Sequence, residues 1–308
     1  MDIEILLILQ NFREITGNIF TSFMTHISTY GESLVPVMIM MAIYWCIDKK
    51  EGLFILISEG LAALLNGFLK ITFCVYRPWI RDSRIEPANN AKVTATGYSF
   101  PSGHTMTATA VYGGVAANKK ATKTLRYIMI FMIILIGFSR LYLGVHTPQD
   151  VLVGVVSTVI LLYITRYILN KVDEKPNLDI WVLIIGILLN VAVIIFTTFK
   201  SYPLDYDSTG ALIVDPAKMM RDTYMSCGIS LGTLVSWFVD RKWLNYEIKG
   251  TISQKASLYA IGMLGYFFLH YVVSPLMPTN IFGYIFSYFM LFVYCMLVVP
   301  FFAKKFIK

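Results

Sequence analysis

The sequence predicts an all-α protein, a polytopic transmembrane helical bundle. Of its 308 residues, 56% are hydrophobic and only 15% are charged, whereas a soluble protein would carry about 25% charged residues. The apolar residues also form runs of about 17 to 25, the length that an α-helix needs to cross a bilayer. A transmembrane β-barrel would instead show short strands of alternating hydrophobicity.

About nine segments have the length and apolar character of membrane-spanning helices. They are residues 31–48, 51–73, 101–117, 124–143, 148–171, 178–199, 218–238, 256–275 and 280–303. The polar motifs described below all fall between residues 70 and 150. We therefore expect a six-span catalytic core in residues 1–199 and an accessory unit of about three additional C-terminal spans in residues 200–308.

Residues 2–24 predict a further helix that lies in the membrane interface rather than across the bilayer. Its apolar residues are bracketed by the charged residues Asp2, Glu4, Arg13 and Glu14, as is typical of interfacial helices. The segment has neither a basic start nor a small-residue cleavage site, so we do not expect a cleaved signal peptide.

The basic residues predict the orientation of the chain, whose formal net charge is +7. The clusters are Lys49 and Lys50; Lys119, Lys120, Lys123 and Arg126; Lys171 and Lys175; Arg241, Lys242, Lys249 and Lys255; and Lys304, Lys305 and Lys308. All lie on one side of the nine-span arrangement, which the positive-inside rule makes cytoplasmic. They indicate topology rather than nucleic-acid binding. We expect a multi-pass plasma-membrane protein with a cytoplasmic C-terminus.

Four basic residues on the outer side break this pattern. Because they lie in or beside the loop that joins two of the motifs described below, we expect them to have a functional role. They are Arg77, Arg81, Arg84 and Lys92.

No metal or cofactor site is predicted. The sequence has no acidic cluster of the kind that holds Mg²⁺. Its cysteines lack CxxC spacing and fall in apolar segments, so we interpret them as small hydrophobic residues. They are Cys46, Cys74, Cys227 and Cys295.

Seven polar residues lie in or at the ends of apolar runs, where charge is costly and usually marks function. They are Lys70, Arg77, Ser102, His104, Arg140, His146 and Asp150. Lys70 and Arg77 are two helical turns apart, which predicts that they share one helical face. Pro78 is expected to end that helix near Arg77. The alternative is a pair of cations that extend to the membrane surface.

The Lys70 face continues inward to two further polar residues. They are Asn66 and Glu59, for which we expect a structural role because an ionised acid at this depth is costly.

The stretch Pro101-Ser102-Gly103-His104 precedes an apolar run. Ser102 is a natural helix N-cap, but free N–H groups at a helix start also bind anions. Gly103 would let the backbone approach a ligand, and His104 would lie beside it.

The stretch from His146 to Asp150 has two compatible interpretations. Thr147, Pro148 and Asp150 fit positions N-cap, N1 and N3 of a capping-box variant. Asp150 is also four residues from His146, so it could bond one imidazole nitrogen and leave the other as a nucleophile.

These stretches together resemble the three-part signature of the type-2 phosphatidic acid phosphatase superfamily, which includes lipid phosphate phosphatases, glucose-6-phosphatase and vanadium-dependent haloperoxidases. The resemblance covers about residues 50–170 and includes Ser139 beside Arg140. It implies that His146 attacks phosphorus, that Asp150 orients it and that His104 protonates the leaving alkoxide. It implies phosphate binding by Lys70, Arg77, Ser102, Gly103 and Arg140, and metal-free catalysis.

The predicted function is an integral membrane lipid phosphate phosphatase with an extracytoplasmic active site. The expected partners are a lipid phosphate substrate and membrane lipids, with a possible homo-oligomer and no nucleic acid. Phosphatidic acid, phosphatidylglycerol phosphate, sphingoid phosphates and polyprenyl pyrophosphate all remain candidate substrates. Two alternatives stay open: a lipid-to-acceptor phosphotransferase and a non-enzymatic anion or lipid transporter.

Overall fold

The computed structural model describes residues 2–32, 34–88 and 91–307. Within these ranges the secondary structure is helical, with no β-strand and one isolated bridge between Tyr206 and Leu212. The predicted all-α class is therefore confirmed.

The helices follow one another along the chain with short connections. They are α1 (Asp2–Ile15), α2 (Thr21–Thr29), α3 (Leu34–Ala42, extended by a π-helical turn Ile43–Ile47), α4 (Lys49–Phe73), α5 (Pro78–Arg81), α6 (Ala91–Thr94), α7 (Gly103–Ala116), α8 (Lys123–Tyr142), α9 (Pro148–Glu174), α10 (Leu178–Phe199), α11 (Pro216–Val239, extended by Asp240–Leu244), α12 (Ile252–Phe268, extended by Leu269–Val273 and Ser274–Leu276), α13 (Ile281–Val293, extended by Tyr294–Val298) and α14 (Val299–Phe306).

Six helices among the described residues are long and apolar enough to cross a membrane, or seven if the bent pair Thr21–Thr29 and Leu34–Ile47 is one span. Two other predicted spans form helices that are not among them. Helix α7 has 14 residues and is about 21 Å long at 1.5 Å per residue, short of the ~30 Å hydrocarbon core. Helix α11 has 24 residues, but its Gly, Ser and Thr residues lower its mean hydropathy.

The N-terminal region contains two helices where one was predicted. Helix α1 ends at Ile15 because Gly17 and Asn18 take positive φ angles of 59° and 62°, which an α-helix cannot accommodate. The chain resumes helical structure at Thr21. Arg13, only 5% exposed, donates to the carbonyl oxygens of Glu86 at 2.5 Å and Tyr142 at 3.2 Å. Helix α1 is thereby tied to the segments that precede and follow the predicted motifs.

The predicted shared helical face of Lys70 and Arg77 is wrong. Helix α4 ends at Phe73, where Cys74 adopts a left-handed conformation with φ of 48°, a common way for a helix to end. Arg77 is extended, with φ of −63° and ψ of 152°, and precedes Pro78 at the start of α5. Pro78 therefore begins a new short helix rather than ending the long one, and Cys74 lies outside the helix.

The chain forms two compact units, each built from three segments. The first consists of Met1–Pro36, Leu65–Ile160 and Phe199–Met220, and the second of Val37–Leu64, Leu161–Thr198 and Arg221–Lys308. All seven predicted polar site residues belong to the first unit. The predicted functional division after residue 199 remains a prediction.

The core of the first unit holds the connections between its helices. One buried cluster contains Tyr142, Leu143 and Val145, and another contains Ile71 and Tyr98. Val145 directly precedes His146 and Ile71 directly follows Lys70, so burial of these apolar neighbours constrains where the polar side chains can point.

The second unit is held by close helix packing. A Cβ atom at Gly232 of α11 would lie 2.7 Å from the carbonyl oxygen of Phe289 in α13, and Gly228 lies against Ile285 in the same way. The glycines therefore permit the close backbone approach that is common between membrane helices. Trp45 donates from Nε1 to the carbonyl oxygen of Cys295 at 2.8 Å, which satisfies an acceptor in the π-helical turn after α13.

Candidate active site

His146 and Asp150 lie at the start of α9, and the predicted capping box is confirmed. Asp150 Oδ2 accepts from the Thr147 N–H at 2.8 Å, and the Asp150 N–H donates to Thr147 Oγ1 at 3.4 Å. The same Oδ2 lies 3.3 Å from Nδ1 of His146. Both side chains are 2% exposed. One carboxylate thus caps the helix and contacts the imidazole at the same time.

The contacts of the His146 ring determine its tautomer. Arg77 donates from Nη1 to Nε2 at 2.9 Å, and a guanidinium has no acceptor. Nε2 therefore carries a lone pair, and the ring proton is on Nδ1, facing Asp150. Burial, together with the charge of Arg77, lowers the pKa of His146, which favours the neutral ring. A neutral imidazole with its Nε2 lone pair oriented in this way can act as a nucleophile.

Ser99 completes this arrangement, and the sequence interpretation missed it. It is fully buried, its Oγ donates to Asp150 Oδ2 at 2.5 Å, and its N–H donates to the Val75 carbonyl oxygen at 2.7 Å. Oδ2 thus accepts from Ser99, Thr147 and His146, which holds the carboxylate ionised and immobile. No local pattern marks Ser99, because its partner is far along the chain.

The start of α7 is the predicted anion-binding element. Ser102 is the N-cap, as predicted: its Oγ accepts from Thr105 N at 3.4 Å and from Thr105 Oγ1 at 2.9 Å. The Ser102 N–H donates to the Asp150 carbonyl oxygen at 3.0 Å. Among the described hydrogen bonds, none uses the N–H groups of Gly103 and His104. These two donors at a helix N-terminus can therefore serve an anion.

Gly103 packs closely against Asn66. A Cβ atom there would lie 3.3 Å from Oδ1 of Asn66, so a larger residue would require the Asn66 side chain to shift by a few tenths of an ångström. Asn66 in turn donates from Nδ2 to the Pro101 carbonyl oxygen at 3.3 Å. The structural role expected for Asn66 is thus to support the chain that enters α7.

Lys70 and Arg77 hold the segment that precedes α7. Lys70 donates from Nζ to the carbonyl oxygens of Tyr98 at 2.8 Å and Ser99 at 3.4 Å. Arg77, 5% exposed, donates to Thr96 at 2.9 Å, Gly97 at 3.1 Å and Val145 at 3.0 Å, all through backbone oxygens. Both cations thus position loops around His146 while placing positive charge beside it.

Arg140 has the clearest sign of an anion site. It lies near the end of α8 and is 2% exposed, and its Nη1 donates to Ser28 Oγ. Its Nε and Nη2 are buried, and neither has a hydrogen-bond partner among the described residues. Unsatisfied donors of a buried cation are costly, so this guanidinium edge is suited to an oxyanion that enters from outside.

The turn between α8 and α9 depends on Gly144. Its φ is 72°, and its N–H donates to the Leu141 carbonyl oxygen at 2.9 Å. A left-handed residue is favourable here only as glycine. Arg140 lies near the end of α8, and His146 follows the turn. The turn therefore brings both residues to the same site.

His104 has a partner that the sequence interpretation also missed. Its Nε2 lies 2.6 Å from Oε2 of Glu32, with the two side chains 11% and 47% exposed. Glu32 belongs to the connection between α2 and α3, far from any motif, so nothing local in the sequence links it to His104.

Two of the outer basic residues form ion pairs, and the functional role expected for them remains a prediction. Arg81 contacts Asp2 at 3.0 Å, and Arg84 contacts Asp82 at 2.7 Å and Glu4 at 3.3 Å. These contacts join the connection after α5 to helix α1. Of the four unusual cations, Arg77 contacts His146, and Lys92 lies 5.9 Å from the ring centre of Trp79.

The arrangement can bind and attack a phosphoryl group. It combines guanidinium donors, two helix-start N–H groups, an oriented neutral imidazole and a second imidazole. Among the described residues, no group of three or more His, Cys, Asp and Glu side chains could hold a metal ion.

Comparison with known protein families identifies the family of this chain. The PAP2 superfamily matches residues 51–174, and the family described as "PAP2 superfamily phosphatase, transmembrane extension" matches residues 224–307. The chain belongs to the PAP2 superfamily. The predicted family is thereby confirmed, and this PAP2 protein is a multi-pass membrane phosphatase.

Three curated relatives of this PAP2 protein carry the names of different phosphatases. Phosphatidylglycerophosphatase B of Bacillus subtilis is 32% identical over 164 residues, covering 49% of this chain and 74% of the relative. Undecaprenyl-diphosphatase of Sulfolobus acidocaldarius is 30% identical over 133 residues, covering 42% and 62%. A probable sphingosine-1-phosphate phosphatase of Dictyostelium discoideum is 27% identical over 222 residues, covering 68% and 51%. No solved structure matches significantly.

Proposed function

We propose that this PAP2 protein hydrolyses a lipid phosphomonoester or pyrophosphate through a phosphohistidine on His146. The observation that carries the proposal is the pair of contacts from which we infer the tautomer of His146. Arg77 at Nε2 and Asp150 at Nδ1 leave the ring with its lone pair facing a cation that also attracts phosphate.

The first step breaks the bond between phosphorus and the leaving oxygen. Nε2 of His146 attacks phosphorus, and the imidazolium that forms is stabilised by Asp150. The phosphoryl oxygens accept from Arg77, from the unsatisfied edge of Arg140 and from the N–H groups of Gly103 and His104, with Ser102 and Lys70 adding donors. Fixed donors directed at developing charge are the main source of rate enhancement in such sites.

The second imidazole handles the proton. His104 gives a proton to the departing alkoxide and then takes one from the water that attacks the phosphohistidine. General acid–base catalysis of this kind contributes about 10²- to 10⁴-fold. The water returns His146 to its neutral state and releases inorganic phosphate without a metal ion.

A lipid substrate is supported by the membrane-spanning helices and by the names of the three relatives. The site residues lie at helix ends rather than in mid-helix, a depth that suits a headgroup whose tails remain in lipid. The relatives' names cover a glycerophospholipid, a polyprenyl diphosphate and a sphingoid phosphate, so the shared chemistry is a phosphate ester or anhydride on a long apolar chain.

The test is phosphate release by the purified full-length protein from lipid phosphates of these three chemical types, with chelator present. Release from at least one of them, absent in His146→Ala, supports the proposal. Activity that chelator abolishes would contradict it. A lipid-to-acceptor phosphotransferase would instead need an added acceptor and would release little phosphate.

The proposed orientation places the site at the outer face of the plasma membrane, with a cytoplasmic C-terminus. In a cysteine-free background in intact cells, an impermeant thiol reagent should label a cysteine placed at the exposed position Asp207 but not one at Lys120. The reverse labelling would place the site inside.

A further inference from the structure

The segment from Ser28 to Glu32 precedes both family matches, which begin at residues 51 and 224, yet it contacts the active site at three points. Ser28 accepts from Arg140. A Cβ atom at Gly31 would lie 2.9 Å from the His104 carbonyl oxygen, so the two backbones are in close contact. Glu32 contacts the His104 ring at 2.6 Å.

A nearby contact holds this segment in register with α7. Tyr112, two turns further along that helix, donates from its hydroxyl to the Tyr30 carbonyl oxygen at 2.8 Å. Gly31 and Ser28 are both buried. The backbone around Glu32 is therefore fixed against the helix that carries His104, while the Glu32 carboxylate itself is half-exposed.

The charges around His104 explain why a carboxylate is needed there. Burial lowers the pKa of His104 most strongly, and the guanidinium groups of Arg140 and Arg77 lower it further, whereas Glu32 supplies the opposing negative charge. Two cations disfavour an imidazolium, whereas a carboxylate in contact favours it. A ring that must carry a proton to a leaving group therefore depends on Glu32.

We propose that Glu32 is a positioning residue that accepts a hydrogen bond from Nε2–H of His104 and leaves Nδ1 to serve the leaving oxygen. This inference rests on the proposed function of His104. It assigns the segment 28–32, which lies before the matched families, to the working active site.

The protons balance in this scheme. The imidazolium of His104 carries hydrogen on both nitrogens. As the bond between phosphorus and the leaving oxygen breaks, the Nδ1 proton passes to that oxygen, and the neutral ring keeps Nε2–H on Glu32. Nδ1 then takes a proton from the attacking water, which restores the imidazolium. Glu32 remains a carboxylate throughout and sets which nitrogen exchanges the proton.

The test compares Glu32→Gln with two substrates, an alkyl phosphate and p-nitrophenyl phosphate. An alkoxide needs a proton to leave, whereas nitrophenolate leaves without one. We expect kcat for the alkyl phosphate to fall about 10²-fold, the lower end of general acid catalysis, and kcat for p-nitrophenyl phosphate to fall less than fivefold. Glu14→Gln, an exposed change in helix α1, is the matched control and should leave both rates unchanged.

The pH profile gives a second readout that a purely structural role would not move. Removing the carboxylate destabilises the imidazolium, so His104 loses its proton at lower pH while Arg140 and Arg77 are unchanged. The alkaline limb of kcat/KM for the alkyl phosphate should shift to lower pH in Glu32→Gln. Glu32→Asp keeps the negative charge, so it should return the alkaline limb of kcat/KM to its original pH and recover part of kcat. Thermal unfolding in detergent reports separately on folding.

Two outcomes would overturn the inference. Equal losses on both substrates with an unmoved alkaline limb would make Glu32 structural. A gain in activity or a lower KM would make it an internal anion that competes with phosphate. His104→Ala, measured in parallel, separates this inference from the proposed function: if that variant shows no difference between the two substrates, the acid role of His104 fails whatever Glu32 does.

Discussion

The candidate active site contains two imidazole–carboxylate pairs, and they are built differently. His146 and Asp150 are four residues apart at one helix start, and both side chains are 2% exposed. His104 and Glu32 come from distant parts of the chain, and the carboxylate is 47% exposed. The first pair is buried and joins residues close in the sequence, whereas the second reaches the surface and joins residues far apart in the sequence.

The difference matches the two tasks that we propose. A nucleophile needs one fixed tautomer, which three hydrogen bonds to Asp150 Oδ2 provide in a buried environment. The proposed acid takes its proton back from the attacking water in each cycle, so its partner must stay ionised throughout, which a half-exposed carboxylate can do. Electrostatic interactions are also stronger in the buried pair, so we expect its disruption to cost more.

The largest expected effect is that of His146→Ala. No other described side chain replaces a nucleophile that Arg77 and Asp150 orient together, so kcat/KM should fall on the order of 10⁵-fold or more, as when a covalent nucleophile is removed elsewhere. The loss should be the same for alkyl and nitrophenyl phosphates, because both would pass through the proposed phosphohistidine. Phosphate release by purified variant protein measures it. Near-normal turnover would contradict the proposed mechanism and the proposed difference in task between the two imidazole–carboxylate pairs.

Asp150→Asn should rank second. The amide keeps the size of the side chain but presents no charge to the imidazolium that forms at His146, and it can favour the wrong tautomer. By analogy with catalytic triads, the expected loss in kcat is about 10³- to 10⁴-fold. Steady-state kinetics should be accompanied by thermal unfolding, since the same oxygen caps α9. A loss below tenfold would mean that Arg77 alone orients the ring.

Local features of this site were predictable from the sequence, and long-range ones were not. The capping box at Thr147 and Asp150 and the N-cap at Ser102 depend only on neighbouring residues, so spacing sufficed. Ser99 and Glu32 act through partners far along the chain, which no local spacing encodes. The error at Arg77 arose because a left-handed Cys74 ends α4 early, and a non-glycine residue rarely takes that conformation.

The fold shows the same contrast. Long apolar runs such as Leu178–Phe199 were recognised because length and hydropathy alone define a candidate span. Helix α7 is shorter than the predicted span 101–117 because Pro101 and Ser102 precede the helix, which runs from Gly103 to Ala116. The two compact units are built from segments that alternate along the sequence. This division depends on contacts between distant segments, which composition cannot predict.

His104→Ala should have the third-largest effect and a different signature from His146→Ala. The alkyl phosphate should lose about 10²- to 10⁴-fold in kcat, the full contribution of an acid, whereas p-nitrophenyl phosphate should lose much less. The ratio of the two losses in kcat distinguishes the two pairs. Only disruption of the His104–Glu32 pair should give a loss that depends on the leaving group. Equal losses would indicate that His104 binds phosphate instead of donating a proton.

Ser99→Ala should have the smallest effect, and mainly on stability. The change removes a 2.5 Å hydrogen bond to Asp150, and hydrogen bonds to charged groups contribute about 1.5–3 kcal/mol. Most of this free-energy contribution is the same in the free enzyme and in the transition state. Only the part that differs in the transition state changes the reaction rate. We therefore expect a lower unfolding temperature in detergent and a loss in kcat of about tenfold or less, equal for both leaving groups. Thr147 and His146 still hold the carboxylate in this variant. A thousandfold loss without destabilisation would show that Ser99 acts on the reacting atoms, and the buried pair would then be a catalytic unit of three side chains.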